Sequence, residues 1–157
     1  MKVLVKKVSS SLDIEQCLAI RREIFVDGQK VPLHLEVDGQ DPISEHFLLI
    51  VDDIPAGAAR VRFVGEYAKI ERVAVLKSYQ GKGLGKHLME AVLAYLASNP
   101  SVPMIKLSAQ THALSFYEKL GFSVCSETYL DAGIPHQDMK MKNNFCSVQG
   151  KYKGNDN

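Results

Sequence analysis

Three glycines alternate with other residues in Gln80-Gly81-Lys82-Gly83-Leu84-Gly85-Lys86, between one run that reads as a strand and another that reads as a helix. The run before it, Lys69-Ile70-Glu71-Arg72-Val73-Ala74-Val75, has the β-branched content and alternation of a strand. The run after it carries Leu84, Leu88, Met89, Val92, Tyr95 and Leu96 at helical spacing. Strand, glycine-rich turn and helix in that order form an arrangement that binds phosphorylated ligands. Glycine lets the backbone come close, and the unpaired amides of a helix start attract anions. Lys82 and Lys86 add positive charge on the polar side.

The common phosphate loops do not fit. A dinucleotide-binding fingerprint needs a third glycine where Lys86 stands. A nucleotide-triphosphate loop needs four residues between its glycines and a hydroxyl residue after its lysine. Gly81 to Gly85 is one short, and His87 follows Lys86.

A chain of 157 residues with 46% apolar content has room for one domain with a real core. Lys and Arg number 19 against 18 Asp and Glu, so no basic excess points to nucleic acid or to an anionic membrane. No apolar run has the length of a membrane span, and the first residues lack a signal-peptide core. Cys17, Cys125 and Cys146 are odd in number and far apart, which matches neither a disulfide framework nor a zinc pattern and suggests a cytoplasmic chain. Cys17 and Cys125 sit in apolar patterns and read as core fillers. His34, His87 and His112 show no metal-ligand spacing, so no metal is expected.

The element order follows from periodicity and punctuation. Residues 2–8 read as a strand, and Ser10 with Asp13 opens a helix continued by Ile14, Leu18, Arg21, Arg22 and Phe25. Residues 28–43 break both periodicities with Gly28, Pro32, Gly39 and Pro42. A loop of that length in a compact domain is more often functional than idle. Strands are expected at 46–51, 56–64 and 67–75 as an antiparallel meander, then a helix at 83–98 and a strand at 104–109. A short helix at 112–120, capped by Gly121, precedes a closing hairpin of 122–130 and 136–141. The order is α+β: one domain over 1–142, with the polar, aperiodic 143–157 as a disordered tail.

Gln80-x-x-Gly83-x-Gly85 resembles the acetyl-coenzyme A loop of the GCN5-related N-acetyltransferases (GNAT). A second match, Ala113-Leu114-Ser115-Phe116-Tyr117-Glu118-Lys119-Leu120-Gly121-Phe122, resembles that family's Ala-x-x-Phe-Tyr-x-x-x-Gly-Phe signature. Arg21–Val26, Val31-Pro32 and Ala132–His136 are similar to its small ElaA/YjcF-like branch.

The resemblance implies a mixed, mostly antiparallel sheet flanked by helices, with splayed strands that hold acetyl-CoA. Backbone amides of Gly81, Lys82, Gly83, Leu84, Gly85 and Lys86, beside Gln80, then face the pyrophosphate. The pantetheine arm lies along Val73, Ala74 and Val75, where a backbone N–H polarises the thioester carbonyl. The Tyr117 hydroxyl becomes the general acid for the departing thiolate. His136, in a Pro-His segment like that of glyphosate-type acetyltransferases, and Glu71, on the strand beside the coenzyme arm, are the alternative bases.

Arg72 and Arg62 with Phe25 fall on the substrate side. Arg60, Arg62 and Arg72 either hold an acceptor anion or form a solvated face with Glu66 and Glu71. Glu36, Asp38 and Asp41, with Glu23 and His46, read as an acidic lip for a cationic amine or as solvated loop charges. The leading reading is transfer of acetyl from acetyl-CoA to a small-molecule primary amine by direct attack in a ternary complex, in a monomer or homodimer. A glucosamine-6-phosphate-type amino-sugar acetyltransferase and a non-catalytic acyl-CoA sensor are the alternatives.

Overall fold

The computed structural model describes residues 1–99 and 101–143. Strand β1 (Val3–Val8) leads into helix α1 (Ser11–Arg21), where the Ser10 hydroxyl accepts from the Asp13 N–H at 3.2 Å. The helix does not stop at Arg21. It continues as a π-helical turn over Arg22–Gly28, so the expected Phe25 position is helical but wider than an α-turn. The segment expected as bare loop carries a four-residue helix α2 (Leu33–Glu36) and a 3-10 turn at Asp41–Ile43.

The meander follows as β2 (Glu45–Val51), β3 (Ile54–Val64) and β4 (Tyr67–Val75). Asp52 and Asp53 both adopt positive φ (48° and 67°) in the tight turn between β2 and β3. Helix α3 (Leu84–Ala97), β5 (Met104–Gln110) and helix α4 (Leu114–Lys119, after a 3-10 turn at Thr111–Ala113) come next. The last expected hairpin strand is split. β6 (Ser123–Val124) and β7 (Tyr129–Asp131) both pair with β8 (Ile134–Lys142), and only β7 and β8 form the hairpin around Ala132-Gly133.

The strands form one sheet in the order β1-β2-β3-β4-β5-β8-β6, with β7 also beside β8. Every pairing is antiparallel except β4–β5, which the α3 crossover makes parallel. Alternation sorts the side chains between two layers. Phe47, Leu49 and Val51 face a core with Leu84, Leu88, Met89, Val92 and Leu96 of α3, while Leu48 joins Cys17 and Ile20 of α1. Burial on both faces explains why β2 reads Phe-Leu-Leu-Ile-Val without interruption.

Asn143 closes the domain. Its Nδ2 donates to the carbonyls of Leu96 and Val102, both at 2.7 Å, and so satisfies the end of α3. The expected tail of 143–157 otherwise lies outside the described residues, as does Cys146. Cys17 is buried as expected, but Cys125 is exposed and fills no core. It lies just past the two-residue β6, and its backbone N–H donates to the Asp138 carbonyl of β8. Among the described residues no helix is long and apolar enough to cross a membrane.

Candidate active site

The parallel pair β4–β5 keeps register only from Tyr67–Met104 to Ile70–Leu107. Beyond that point the two strands part. On its other side β4 carries a bulge, because Arg60 faces Glu71 while Ala58 faces Ala74, so Ala59 stands opposite both Arg72 and Val73. Arg72 holds φ +56°, a left-handed conformation that costs a non-glycine residue of order 1–2 kcal/mol. The extra residue turns Val73 and Val75 toward the α3 core and Ala74 toward α1. A cavity of about 390 Å³ opens in the parting, with Glu71–Val75 on one wall and Leu107–Gln110 on the other. Phe25, Gln29 and Leu35 line it, together with Tyr117 and His136.

Past Val75 the chain makes a 3-10 turn at Lys77–Tyr79, and the Gln80 Nε2 reaches back to the Val75 carbonyl at 2.8 Å. Gly81 and Gly83 adopt φ +77° and +75°. A Cβ at either would meet nothing within 4 Å, so glycine is required there by backbone conformation and not by space. Gly83 is the N-cap of α3 and gives no side-chain cap. The first helical bond is His87 N–H to the Gly83 carbonyl, which leaves the N–H groups of Leu84, Gly85 and Lys86 without helical acceptors. These residues line a second groove of about 440 Å³ with Phe116, Lys119 and Leu120. Val75 and Gln80 line both spaces, so groove and cavity adjoin at these two residues.

Tyr117 lies on α4, with Phe116 and Phe122 edge-on to its ring at centroid distances of 5.0 and 6.1 Å. Burial pushes its phenol up to about 12, which keeps the hydroxyl protonated at neutral pH. His136 stands on β8, where its Nδ1 is 2.7 Å from the Ile134 carbonyl. A carbonyl only accepts, so Nδ1 carries the hydrogen, and in the neutral imidazole the lone pair is then on Nε2.

The charged residues behind the cavity are paired with one another. Arg60 is fully buried and donates to Asp38 at 2.8 and 2.9 Å, to Asp41 at 3.0 Å and to Glu71 at 3.0 Å. Arg62 Nε also donates to Glu71 at 3.0 Å. Arg72 Nε donates to Glu36 at 2.7 Å, and buried Arg21 bridges Glu36 and Asp41. The Arg60 guanidinium holds Asp38 well below the usual carboxylate range. Burial pushes Asp41 and Glu71 up, but Arg21 and Arg60 beside Asp41, and Arg62, Arg60 and Lys69 beside Glu71, more than offset it and leave both low.

Residues 25–143 match the Acetyltransferase (GNAT) domain family. The chain belongs to the GNAT acetyltransferases. The "Uncharacterized N-acetyltransferase YjcF" of Bacillus subtilis is 39% identical over 140 residues, covering 88% of this GNAT chain and 98% of that protein. The crystal structure of Escherichia coli ElaA superposes with a TM-score of 0.81 at 26% identity, over 88% of this chain and 99% of that one. A GNAT family acetyltransferase from Elizabethkingia anophelis, crystallised with acetyl-CoA bound, shares the fold at a TM-score of 0.67 and 17% identity, over 89% and 97% of the two chains.

In this GNAT domain the residues singled out from sequence fall into two groups. Gln80 to Lys86, Val73 to Val75, Tyr117, His136, Phe25, Arg72 and Glu71 all border the adjoining groove and cavity, except Lys82, whose ammonium stands 5.9 Å from the Tyr79 ring centroid. Arg62 is held at Glu71 and does not line the cavity. The acidic lip is a correction: Glu36, Asp38 and Asp41 are not a free lip, because Arg21, Arg60 and Arg72 pair with them, and of the three only Asp38 stays exposed. His46 joins them only through its Nε2 at the Asp41 carbonyl, 2.9 Å away. Glu66 is not a partner of these arginines, whereas Glu71 is.

Sequence reasoning missed Gln29, whose amide pairs with that of Gln110 across the cavity at 2.8 and 3.3 Å. It also missed Ser108 and Lys119. Lys119 lies inside a quoted motif, one helical step from Phe116, and that spacing could have found it.

Proposed function

We propose that this domain transfers the acetyl group of acetyl-CoA to a primary amine of a small molecule, by direct attack within a ternary complex. The observation that carries this reading is that the groove with the unpaired amides of Leu84, Gly85 and Lys86 adjoins, at Val75 and Gln80, the cavity lined by Tyr117 and His136. The donor set fits acetyl-CoA. Three helix-start amides and Lys86 suit a diphosphate, and the unpaired edge of β4 past Ile70 suits the amide-bearing pantetheine arm. The coenzyme supplies an activated thioester; the chain supplies the rest.

The bulge at Arg72 sets the Val73–Val75 backbone along the cavity, where an N–H can polarise the thioester carbonyl for about 3 kcal/mol. His136 Nε2 takes the amine proton, and the Tyr117 hydroxyl gives its proton to the leaving thiolate. Glu71 is the weaker base, since three cations already engage its carboxylate. The amino-sugar phosphate alternative loses support for a similar reason, because Arg60, Arg62 and Arg72 are each tied to carboxylates.

Titration calorimetry with acetyl-CoA and thiol release across a panel of amines test the proposal together. Heat of binding and thiol release with at least one small amine are expected. Absence of binding overturns the coenzyme site, and binding without turnover on any amine favours an acyl-CoA sensor.

A further inference from the structure

β8 presents alternate residues to one face, and its neighbours supply their partners there. His136 pairs in register with Gln110 of β5 and with Tyr129 of β7, while Asp138 pairs with Ser108. The Tyr129 ring stacks on the His136 imidazole, with centroids 6.1 Å apart and planes 23° from parallel. Its hydroxyl is held from two sides. Tyr129 donates to Asp138 Oδ1 at 2.5 Å, and since a phenol has one hydrogen, its oxygen accepts from the Ser108 hydroxyl.

This arrangement is not explained by the core. Tyr129 belongs to neither apolar cluster, and it is 36% exposed on a strand of three residues. An exposed tyrosine on so short a strand ordinarily samples several rotamers. Here one end of the ring is tied to two strands and its face is laid against the one histidine of the cavity wall that is buried, at 9% exposure. The Ile134 carbonyl already fixes Nδ1. With one ring face and one nitrogen occupied, Nε2 is the only polar atom of His136 left for chemistry.

We propose that Tyr129 is a positioning residue for His136, anchored by Ser108 and Asp138. Its ring restricts the imidazole to the single rotation that offers Nε2 to the acceptor amine. The proposal rests on the reading of His136 as the base. A proton acceptor that wanders among rotamers loses the alignment that proximity catalysis needs, a cost of about 10-fold or more in rate.

A double-mutant cycle tests it on the full chain, with kcat and KM measured for acetyl-CoA and for the best amine of the panel. Tyr129→Ala is expected to lower kcat about 10-fold with KM for acetyl-CoA changed less than about 2-fold. Tyr129→Phe, which keeps the ring but loses both anchors, is expected between wild type and Tyr129→Ala. In a His136→Ala background the same Tyr129→Ala change is expected to cost nothing further. An equal cost in both backgrounds, or no cost in either, overturns the positioning role and leaves His136 as the base. An unchanged kcat in His136→Ala alone overturns the reading of His136 and, with it, the inference. Should Tyr129→Ala fail to fold, Tyr129→Phe run through the same cycle decides the matter by the same criterion.

Discussion

At the scale of single residues, two side chains carry the proposed proton movements, and their surroundings suit opposite duties. Tyr117 is a phenol raised to about 12 by burial, so it enters the reaction protonated. Tyr117→Phe is expected to lower kcat about 10²-fold while coenzyme affinity stays unchanged, by steady-state kinetics beside calorimetry. An unchanged kcat removes Tyr117 from the mechanism. His136 offers Nε2 because Nδ1 is committed to Ile134. His136→Ala is therefore expected to lower kcat about 10²-fold while coenzyme affinity stays unchanged, and an unchanged kcat removes His136 from the mechanism. Both residues were legible in the sequence through short motifs, Phe116-Tyr117 and Pro135-His136. Cys125 was not, since its apolar neighbours do not reveal that it lies just past a two-residue strand and faces solvent.

At the scale of elements, the segment from Leu33 to Ile43 is fixed by charge and not by apolar contact. Leu33, Leu35 and Val37 are exposed, while Glu36 is 3% exposed between Arg21 and Arg72. Removing a buried carboxylate that two guanidinium groups share leaves buried Arg21 with Asp41 as its one remaining carboxylate partner, so part of its charge loses compensation. Glu36→Gln is expected to cost about 3 kcal/mol in urea unfolding. Because Arg72 sits at the β4 bulge, the same change is expected to raise KM for the amine. A loss under about 0.5 kcal/mol, the size of an ordinary surface substitution, shows that the segment is held by other contacts. Helices α1, α3 and α4 and the meander were readable from spacing, whereas α2 falls in the segment expected as a loop. The π-helical turn at Arg22–Gly28 was not readable, because its widening has no signature in a 3.6-residue pattern.

For the whole molecule, Asp38, Asp41 and Glu71 link stability to pH. All three titrate below their ordinary values when folded. Their contribution is therefore complete above the unfolded carboxylate range, near pH ~4, and is lost as pH falls through the lower folded values. Thermal unfolding followed from pH 7 to pH 2 is expected to show Tm falling steeply below about pH 4. Asp38→Asn is expected to flatten that fall, and an unchanged slope separates the network from acid stability. The antiparallel pairing of β2, β3 and β4 follows from the short turns between them. Which charges remain free does not, since Arg72 meets Glu36 across 36 residues and Arg60 meets Asp38 across 22.

The amino-acid sequence alone determined the glycine loop before α3, because a positive-φ glycine before a helix and the amides it frees are consequences of local backbone chemistry. It determined the strand that borders this loop and the helix that bears the tyrosine for the same reason: both are read within one turn or one pleat. Only the tertiary structure decided that the arginines and the acidic loop cancel each other. It alone laid Tyr129 on His136 and paired Gln29 with Gln110 across the cavity. Those partnerships join residues far apart in the chain, and ionic or stacking complementarity has no period along a sequence from which it can be read.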